Sequence, residues 1–357
     1  MSTCPSCSTT VDDRERFCEA CGATLSPGGD TAATADPTAA APPDTVEAAA
    51  QAPVEAAVCT ACAGRVAADG YCETCGTRAV IPRDHFVEQP APWVAAVCDR
   101  GVRHARNEDA VATAADPEPG SRAVLVVCDG VSSSIDSDVA SLAGARAARD
   151  VLAASHPRGM GTTSARVGLV ASTLAKATDA ASAAVLAATA EGSLSPESCT
   201  LVAGVLDGAL LVVGWVGDSR AYWLPDEGPA SALTVDDSFA ADQIAHGVPR
   251  DEAENGPHAH AITRWLGLDA PDHTPRTASL ELATAGWVLV CSDGLWNYCS
   301  EAADLGALVR QTAQQSGVEP VALAGALVDW ANAQGGRDNI TVALARHDPA
   351  TTTPDPA

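Results

Sequence analysis

The sequence predicts an α+β domain built on antiparallel strands and preceded by two small metal-binding modules. Three observations predict it. Apolar runs of strand length and Ala-rich runs of helix length are mixed along Trp93–His347 without regular βαβ alternation. Leu206-Asp207-Gly208-Ala209 sets Asp-Gly between two apolar runs, a hairpin signal that makes those strands antiparallel. Eight of the thirteen cysteines fall before Gly76, in four C-x-x-C pairs.

The strand-like runs are Trp93–Cys98, Ala123–Cys128, Thr200–Leu206, Ala209–Val216, Gly286–Cys291 and Asn339–Ala345. The helical stretches are Asp138–Ala154, Ala165–Glu191 and Pro320–Ala333, the last stopping at Gly335-Gly336 as helices do. Upstream, 1–22 reads as one cysteine module and 58–78 as a second, each copy ending in Cys-Gly. Residues 23–57, rich in Ala, Pro, Thr and acid, bury too little apolar surface to offset chain entropy and are expected to be a disordered linker. Residues 79–92 form a Pro-containing connector, 93–347 the main domain, and 348–357 a disordered tail.

Composition bounds the function. Lys plus Arg is 21 and Asp plus Glu is 46, a formal net charge of −25, which repels phosphate backbones and anionic lipid. Neither nucleic acid nor a membrane surface is an expected partner. The longest apolar candidate, Leu201–Gly217, is interrupted at Asp207-Gly208, and the N-terminus carries no secretory pattern, so a cytoplasmic protein is expected. Hydrophobic residues are 46% of the chain and aromatics only 4%, leaving most of the packing to Ala and Val.

The cysteine spacing fits tetrahedral zinc. Each C-x-x-C turn offers two sulfurs, and two turns complete the shell: Cys4, Cys7, Cys18 and Cys21 in one module, Cys59, Cys62, Cys72 and Cys75 in the other. Each module spans too few residues for a core, so two structural Zn²⁺ ions would supply the folding energy. Cys59–Arg65 also matches C-x5-R, the signature of cysteine phosphatases. The expected zinc-bound state of Cys59, and the lack of a strand before it, set that reading aside.

Four acidic clusters mark the main domain: Asn107-Glu108-Asp109, Asp129-Gly130, Ser292-Asp293-Gly294-Leu295-Trp296, and Gly335-Gly336-Arg337-Asp338-Asn339-Ile340-Thr341. Carboxylates at strand ends repel one another unless cations lie between them, and all-oxygen sites select hard ions such as Mg²⁺ or Mn²⁺. An isolated Asp-Gly after a strand is ordinarily a turn; four such clusters in this order carry more weight.

With Gly217-Asp218-Ser219-Arg220 between them, these motifs resemble, in type and order, the metal-dependent type 2C Ser/Thr protein phosphatases, over about Trp93–Arg346. The resemblance implies a four-layer αββα sandwich, two antiparallel sheets with helices outside, and two Mn²⁺ or Mg²⁺ ions at one edge. Asp129 would bridge the ions, Asp293 and Asp338 would complete one, and Glu108 with the Gly130 carbonyl the other. Asp109 would orient bound water or Glu108, Asp218 would be structural, and Asp236–His260 would match a mobile flap. A metal-bridged hydroxide would attack the phosphorus of phosphoSer or phosphoThr proteins, a partner Ser/Thr kinase being one plausible substrate.

The sequence departs from the family pattern in three places. Where relatives carry a phosphate-gripping Arg, four residues before the metal-binding Glu, this chain has His104, flanked by Arg103 and Arg106. After Asp129-Gly130 it has Val131-Ser132-Ser133-Ser134, with no His to serve as general acid. A third ion in bacterial relatives uses an Asp that Glu197 replaces here, and a bystander role is favoured for Glu197. The rival functions are a catalytically weak or dead scaffold that binds partners through its zinc ribbons, which the filled ligand positions oppose, and a nucleic-acid binder, which the net charge opposes.

Overall fold

The computed structural model describes residues 58–349 except 60, 68–69, 132–135, 156–160 and 257, together with two paired strands at Ser2–Thr3 and Thr10–Val11. The first cysteine set, the 23–57 linker and residues 350–357 of the tail lie outside the described residues. The chain divides into two units, Met1–Ala56 and Ala57–Ala357; all that follows concerns the second.

Two antiparallel sheets stack face to face. The first comprises β1 (His85–Ala91), β2 (Val94–Asp99), β7 (Arg220–Pro225), β8 (Ser231–Ala232), β10 (Gly286–Cys291) and β11 (Ile340–His347), in the order β8-β7-β10-β11-β2-β1. The second comprises β3 (Ala110–Ala115), β4 (Arg122–Cys128), β5 (Leu201–Asp207), β6 (Leu210–Val216) and β9 (Arg276–Glu281), in the order β9-β6-β5-β4-β3. Helices α1 (Ser137–Ala154) and α2 (Thr163–Ala188) cover the second sheet. The first is covered by α6 (Ala302–Ser316) and α7 (Pro320–Gln334), with the short α5 (Asp293–Trp296) at its rim. Two further helices, α3 (Phe239–Ala245) and α4 (Arg250–Glu254), lie in the segment expected to be a flap. This is the four-layer αββα arrangement.

Layering explains why the strands read as unbroken apolar runs. All residues of β4, β6 and β10 are buried, because one face of each sheet meets helices and the other meets the opposite sheet. The predicted hairpin is present: β5 and β6 join through Gly208-Ala209, Asp207 pairs with Leu210, and Gly208 takes φ +62°. The predicted helices begin and end within three residues of the observed ones. The buried face of α1 steps through Ala140, Gly144, Ala148 and Leu152, one helical turn apart. A Cβ on Gly144 would stand 3.2 Å from Val185 Cγ2, so small residues set how closely α1 and α2 approach. By length and composition α2 matches a membrane span, but it packs against α1 and the second sheet through residues such as Leu174, Ala177, Ala181 and Val185.

One boundary shifts. Residues 79–92 hold β1, the outer strand of the first sheet, where a connector was expected, so the sandwich begins before Trp93. Pro90 hid the strand. It sits where the β1–β2 register shifts between Glu88 and Ala91, on an edge strand, the position in a sheet that tolerates a missing N–H. Glu88 links the two sheets as well: its Oε2 accepts from the Thr113 amide at 2.7 Å and hydroxyl at 2.8 Å.

A chain starting at Trp93 loses β1 and the Glu88 link, so it should melt about 5 °C or more below a chain starting at Ala57. Equal melting temperatures of the two truncations in differential scanning calorimetry would show that β1 does not stabilise the sandwich.

Candidate metal centre

The acidic motifs meet at one end of the sandwich. Asp129 follows β4, Asp293 opens α5 just after β10, Glu108 and Asp109 precede β3, and Asp338 precedes β11. Their convergence shows in their mutual repulsion. Burial pushes the Asp129 carboxyl well above the ordinary range, and the charges of Asp109, Asp293, Asp338 and Asp218 push it further. Asp293 is raised well above that range by burial, then by Asp338, Asp218 and Asp109. Asp109 is pushed up to about 6, mainly by burial. Two like charges about 4 Å apart cost about 4 kcal/mol at an effective dielectric of 20, so these groups require protons or cations to coexist.

Backbone ties hold the motifs together. The Gly130 amide donates to the Glu108 carbonyl at 3.2 Å, and the Thr200 amide to the Asp129 carbonyl at 2.8 Å. A Cβ on Gly130 would lie 2.7 Å from the Glu108 carbonyl oxygen, so only glycine permits that approach. The Gly336 carbonyl accepts from the amides of Val102 and Arg103, both at 3.0 Å, seating the loop before Glu108.

Side chains fix the carboxylates. Asp109 accepts at Oδ2 from Ser292 Oγ at 2.6 Å and Thr341 Oγ1 at 2.7 Å, while its buried Oδ1 has no partner among the described residues. Asp293 accepts at Oδ2 from Asn297 Nδ2 at 2.9 Å, and its Oδ1 is likewise buried and unpartnered. Glu108 accepts at Oε1 from Ser137 Oγ at 2.7 Å and Arg106 Nη2 at 2.5 Å. Two unpartnered buried oxygens within a cluster of hard donors suit Mg²⁺ or Mn²⁺.

The three candidate phosphate contacts separate. Arg106 pairs with Glu108, and His104 Nε2 lies 3.3 Å from Asp338 Oδ1. Arg103 is exposed, its amide bonded to Gly336. Glu197 is buried with Oε2 unpartnered among the described residues, and it is not among the charges that most raise Asp129.

Several contributors went unassigned in the sequence. Asn339 is a hub: its Oδ1 accepts from the Glu108 amide at 2.8 Å, and its Nδ2 donates to the carbonyls of Arg100 at 2.7 Å and Arg106 at 2.9 Å. Asp218, expected to be structural, belongs electrostatically to the cluster, and burial pushes it up to about 7. Both stand inside motifs visible in the sequence, which signalled their importance but not their contacts. The 236–260 segment, expected to be a flap, is tied at its start. Arg220 binds Asp236 through two bonds of 2.9 and 2.7 Å and stacks on Trp296 at 3.6 Å, beside a cavity of about 350 Å³ also lined by Ile244 and Ser300.

A second cluster lies in the 58–78 module, where the Sγ atoms of Cys59, Cys62, Cys72 and Cys75 all lie within 4.8 Å of one another. Each pair closes on a tight turn: the Ala63 amide donates to the Cys59 carbonyl at 2.8 Å, and the Gly76 amide to the Cys72 carbonyl at 2.9 Å. The Thr74 amide points at Cys72 Sγ at 3.4 Å, and contact with Thr77 lowers the Cys75 thiol to about 6. Four converging sulfurs match the donor set of structural zinc.

Comparison with known proteins decides the family: the model for Protein phosphatase 2C matches residues 100–331. The chain belongs to the protein phosphatase 2C family. It is 31% identical over 165 residues to the Serine/threonine phosphatase stp of Listeria innocua, covering 46% of this chain and 62% of that protein. It is 30% identical over 256 residues to the Serine/threonine protein phosphatase PstP of Mycobacterium tuberculosis, covering 70% of this chain and 44% of that protein. The matched region thus spans less than two thirds of either relative. The M. tuberculosis PstP/Ppp crystal structure superposes with a TM-score of 0.57 at 26% identity, covering 73% of this chain and 99% of that one. A PstP catalytic domain in complex with two manganese ions superposes with a TM-score of 0.52 at 25% identity, covering 73% of this chain and 97% of that one. The 2C fold therefore accounts for the sandwich, while the cysteine module precedes the matched region.

Raised carboxyls carry a pH signature. Asp109, about 6 in the folded state against 3.8 as a free group, prefers its protonated form when folded. Its burial penalty is absent below about pH 4 and complete above about pH 6. Metal-free protein should therefore lose thermal stability as pH rises from 4 to 7, and Mn²⁺ should restore it at pH 7.5. A metal-free melting temperature that climbs across that interval would contradict the electrostatic account.

Proposed function

We propose that this chain is a metal-dependent protein Ser/Thr phosphatase that hydrolyses phosphoSer and phosphoThr side chains. The observation that carries the reading is the cluster of Asp109, Asp129, Asp293 and Asp338, whose mutual repulsion calls for divalent cations, with Glu108 tied beside it through Gly130 and Asn339. Two Mn²⁺ or Mg²⁺ ions would be held by Asp129, Asp293, Asp338, Glu108 and the Gly130 carbonyl. When bound, such ions supply an activated water and neutralise phosphoryl charge.

The chain's own residues supply the rest. Ser292 and Thr341 hold the Asp109 carboxylate, and Asn339 holds the main chain of Glu108. Arg106, in contact with Glu108, is the proposed phosphate grip, with His104 beside Asp338 as a second donor. A guanidinium offers two parallel donors to a phosphoryl group, which imidazole cannot. Asp338 keeps 39% of its side chain accessible and is proposed to face the substrate. The five cysteines of the sandwich are free thiols, in keeping with a reducing, cytoplasmic setting.

The 58–78 module is proposed to hold one structural Zn²⁺ and the corresponding N-terminal set another, serving as a docking or regulatory appendage. Substrates are proposed to be phosphoproteins, a partner Ser/Thr kinase among them.

Asp129→Asn should lower Mn²⁺-stimulated hydrolysis of p-nitrophenyl phosphate by about a thousandfold or more while the fold is retained. A folded Asp129→Asn protein with near-normal turnover would refute the mechanism. Arg106→Ala should raise KM for the phosphoester more than it lowers kcat; unchanged KM would remove Arg106 as the grip. Elemental analysis of freshly purified protein should find two zinc atoms per chain, one of them lost on Cys62→Ser with Cys75→Ser.

A further inference from the structure

The four-cysteine module is wired into the loop that carries the carboxylates. Arg78 ends the module. Its main chain bridges to Tyr71, the residue before Cys72, and the Cys72 amide donates to the Thr77 carbonyl at 2.9 Å. The geometry of the Cys72–Cys75 turn therefore sets where Arg78 begins. Its Nη1 donates to Asp84 Oδ2 at 2.7 Å. Asp84 belongs to the single turn Pro82–Asp84 and keeps only 9% of its side chain accessible.

That turn fastens both ends of the 100–109 loop. At one end, the Asp84 carbonyl accepts from the Arg100 amide at 2.7 Å, and Asp84 Oδ1 faces Arg100 Nε at 3.6 Å. Arg100 in turn donates to the His104 carbonyl, and its own carbonyl accepts from Asn339. At the other end, Arg83 Nη2 donates to the main-chain oxygens of Asp109 and, at 3.3 Å, of Asp138, while the Arg83 carbonyl accepts from Asn107 Nδ2 at 3.0 Å. Arg83 holds this place with Nε and Nη1 buried and lacking a hydrogen-bond partner among the described residues. Between these fastenings lie His104, Arg106 and Glu108.

We propose that the metal ion of the cysteine module regulates the catalytic centre, by fixing the 72–78 turn so that Arg78, through Asp84 and Arg83, holds the 100–109 loop in its metal-binding shape. The inference rests on the phosphatase reading above and on zinc as the module's cation. Arg78, Arg83 and Asp84 act as positioning residues, since none of them touches the carboxylate oxygens proposed to bind metal. The link has weight because one end is shielded: a fully exposed ion pair contributes little, whereas removing the partner of a buried carboxylate costs more. A module this small owes its shape to its metal, so losing the metal releases Arg78.

The test uses the full chain, comparing wild type, Arg78→Ala, Arg78→Lys, the Cys62→Ser/Cys75→Ser variant, and the Arg78→Ala substitution added to that variant. Zinc content, the Mn²⁺ titration of p-nitrophenyl phosphate hydrolysis, and hydrogen exchange across residues 100–109 are measured together. Loss of zinc should raise the Mn²⁺ concentration for half-maximal activity about five- to twentyfold, with kcat at saturating Mn²⁺ within about twofold of wild type. Arg78→Ala should do the same with zinc retained, and Arg78→Lys should recover most of the difference. The combined variant should show no further rise, and exchange in the loop should quicken in step. The proposal falls if zinc is lost while the Mn²⁺ titration and loop exchange stay unchanged, or if the two effects add. Should the cysteine variant not fold, Arg78→Ala alone decides by the same two readings. Should wild type hydrolyse nothing, the phosphatase reading fails separately, and loop exchange with calorimetric Mn²⁺ binding still decides the coupling.

Discussion

Mutual repulsion among carboxylates is the constraint on which this molecule turns. Asp109, Asp129, Asp218, Asp293 and Asp338 come from segments spread over more than two hundred residues, yet each raises or is raised by others of the group. A sheet sandwich can hold such a set because it is rigid where the set is not wanted apart. β4, β10 and β11 are locked by continuous ladders and by packing on both faces, so the acids at their ends have nowhere to move. Burial then does two opposed things. It raises the cost of charge without a counterion, and it strengthens the attraction for a cation that enters.

Neutral hydrogen bonds organise this charge without cancelling it. Asn339 ties Glu108, Arg100 and Arg106 into one piece, and Ser292 and Thr341 orient Asp109. Counter-charge is partial: Arg106 meets Glu108, Arg83 acts on Asp109 and Arg220 on Asp218, while the charges acting most on Asp129 are all carboxylates. A cluster neutralised internally by arginines would have little need of a metal. One held by amides and hydroxyls retains it.

Legibility in the sequence followed the physics of each element. Most strands buried on both faces announce themselves as apolar runs, and β10 matches its expected bounds to the residue, but β7, RAYWLP, is wholly buried and opens on an arginine that hides it. Strands at the edges did not: β1 carries Pro90 and four exposed residues, and β9 alternates exposed with half-buried positions, RTASLE. β3, AVATAA, is too rich in alanine to separate strand from helix by pattern alone. The carboxylates were legible because each lies in a short motif of fixed order. Their supports were not, because a hydrogen bond from Glu108 to Asn339 crosses 231 residues and leaves no local trace. Arg83 was invisible for a related reason, lying in a proline-bearing stretch whose composition suggests a tether.

Glu88 has a role beyond joining the two layers. β1 and β3 are outermost in their sheets, where unpaired amides invite another polypeptide to add on as an extra ladder rung. By occupying the Thr113 amide, the Glu88 carboxylate removes one such invitation from β3, while Pro90 presents β1 with a rung that has no hydrogen to offer. A protein whose core is mostly valine and alanine thereby carries two guards against edge addition on this side of its sandwich.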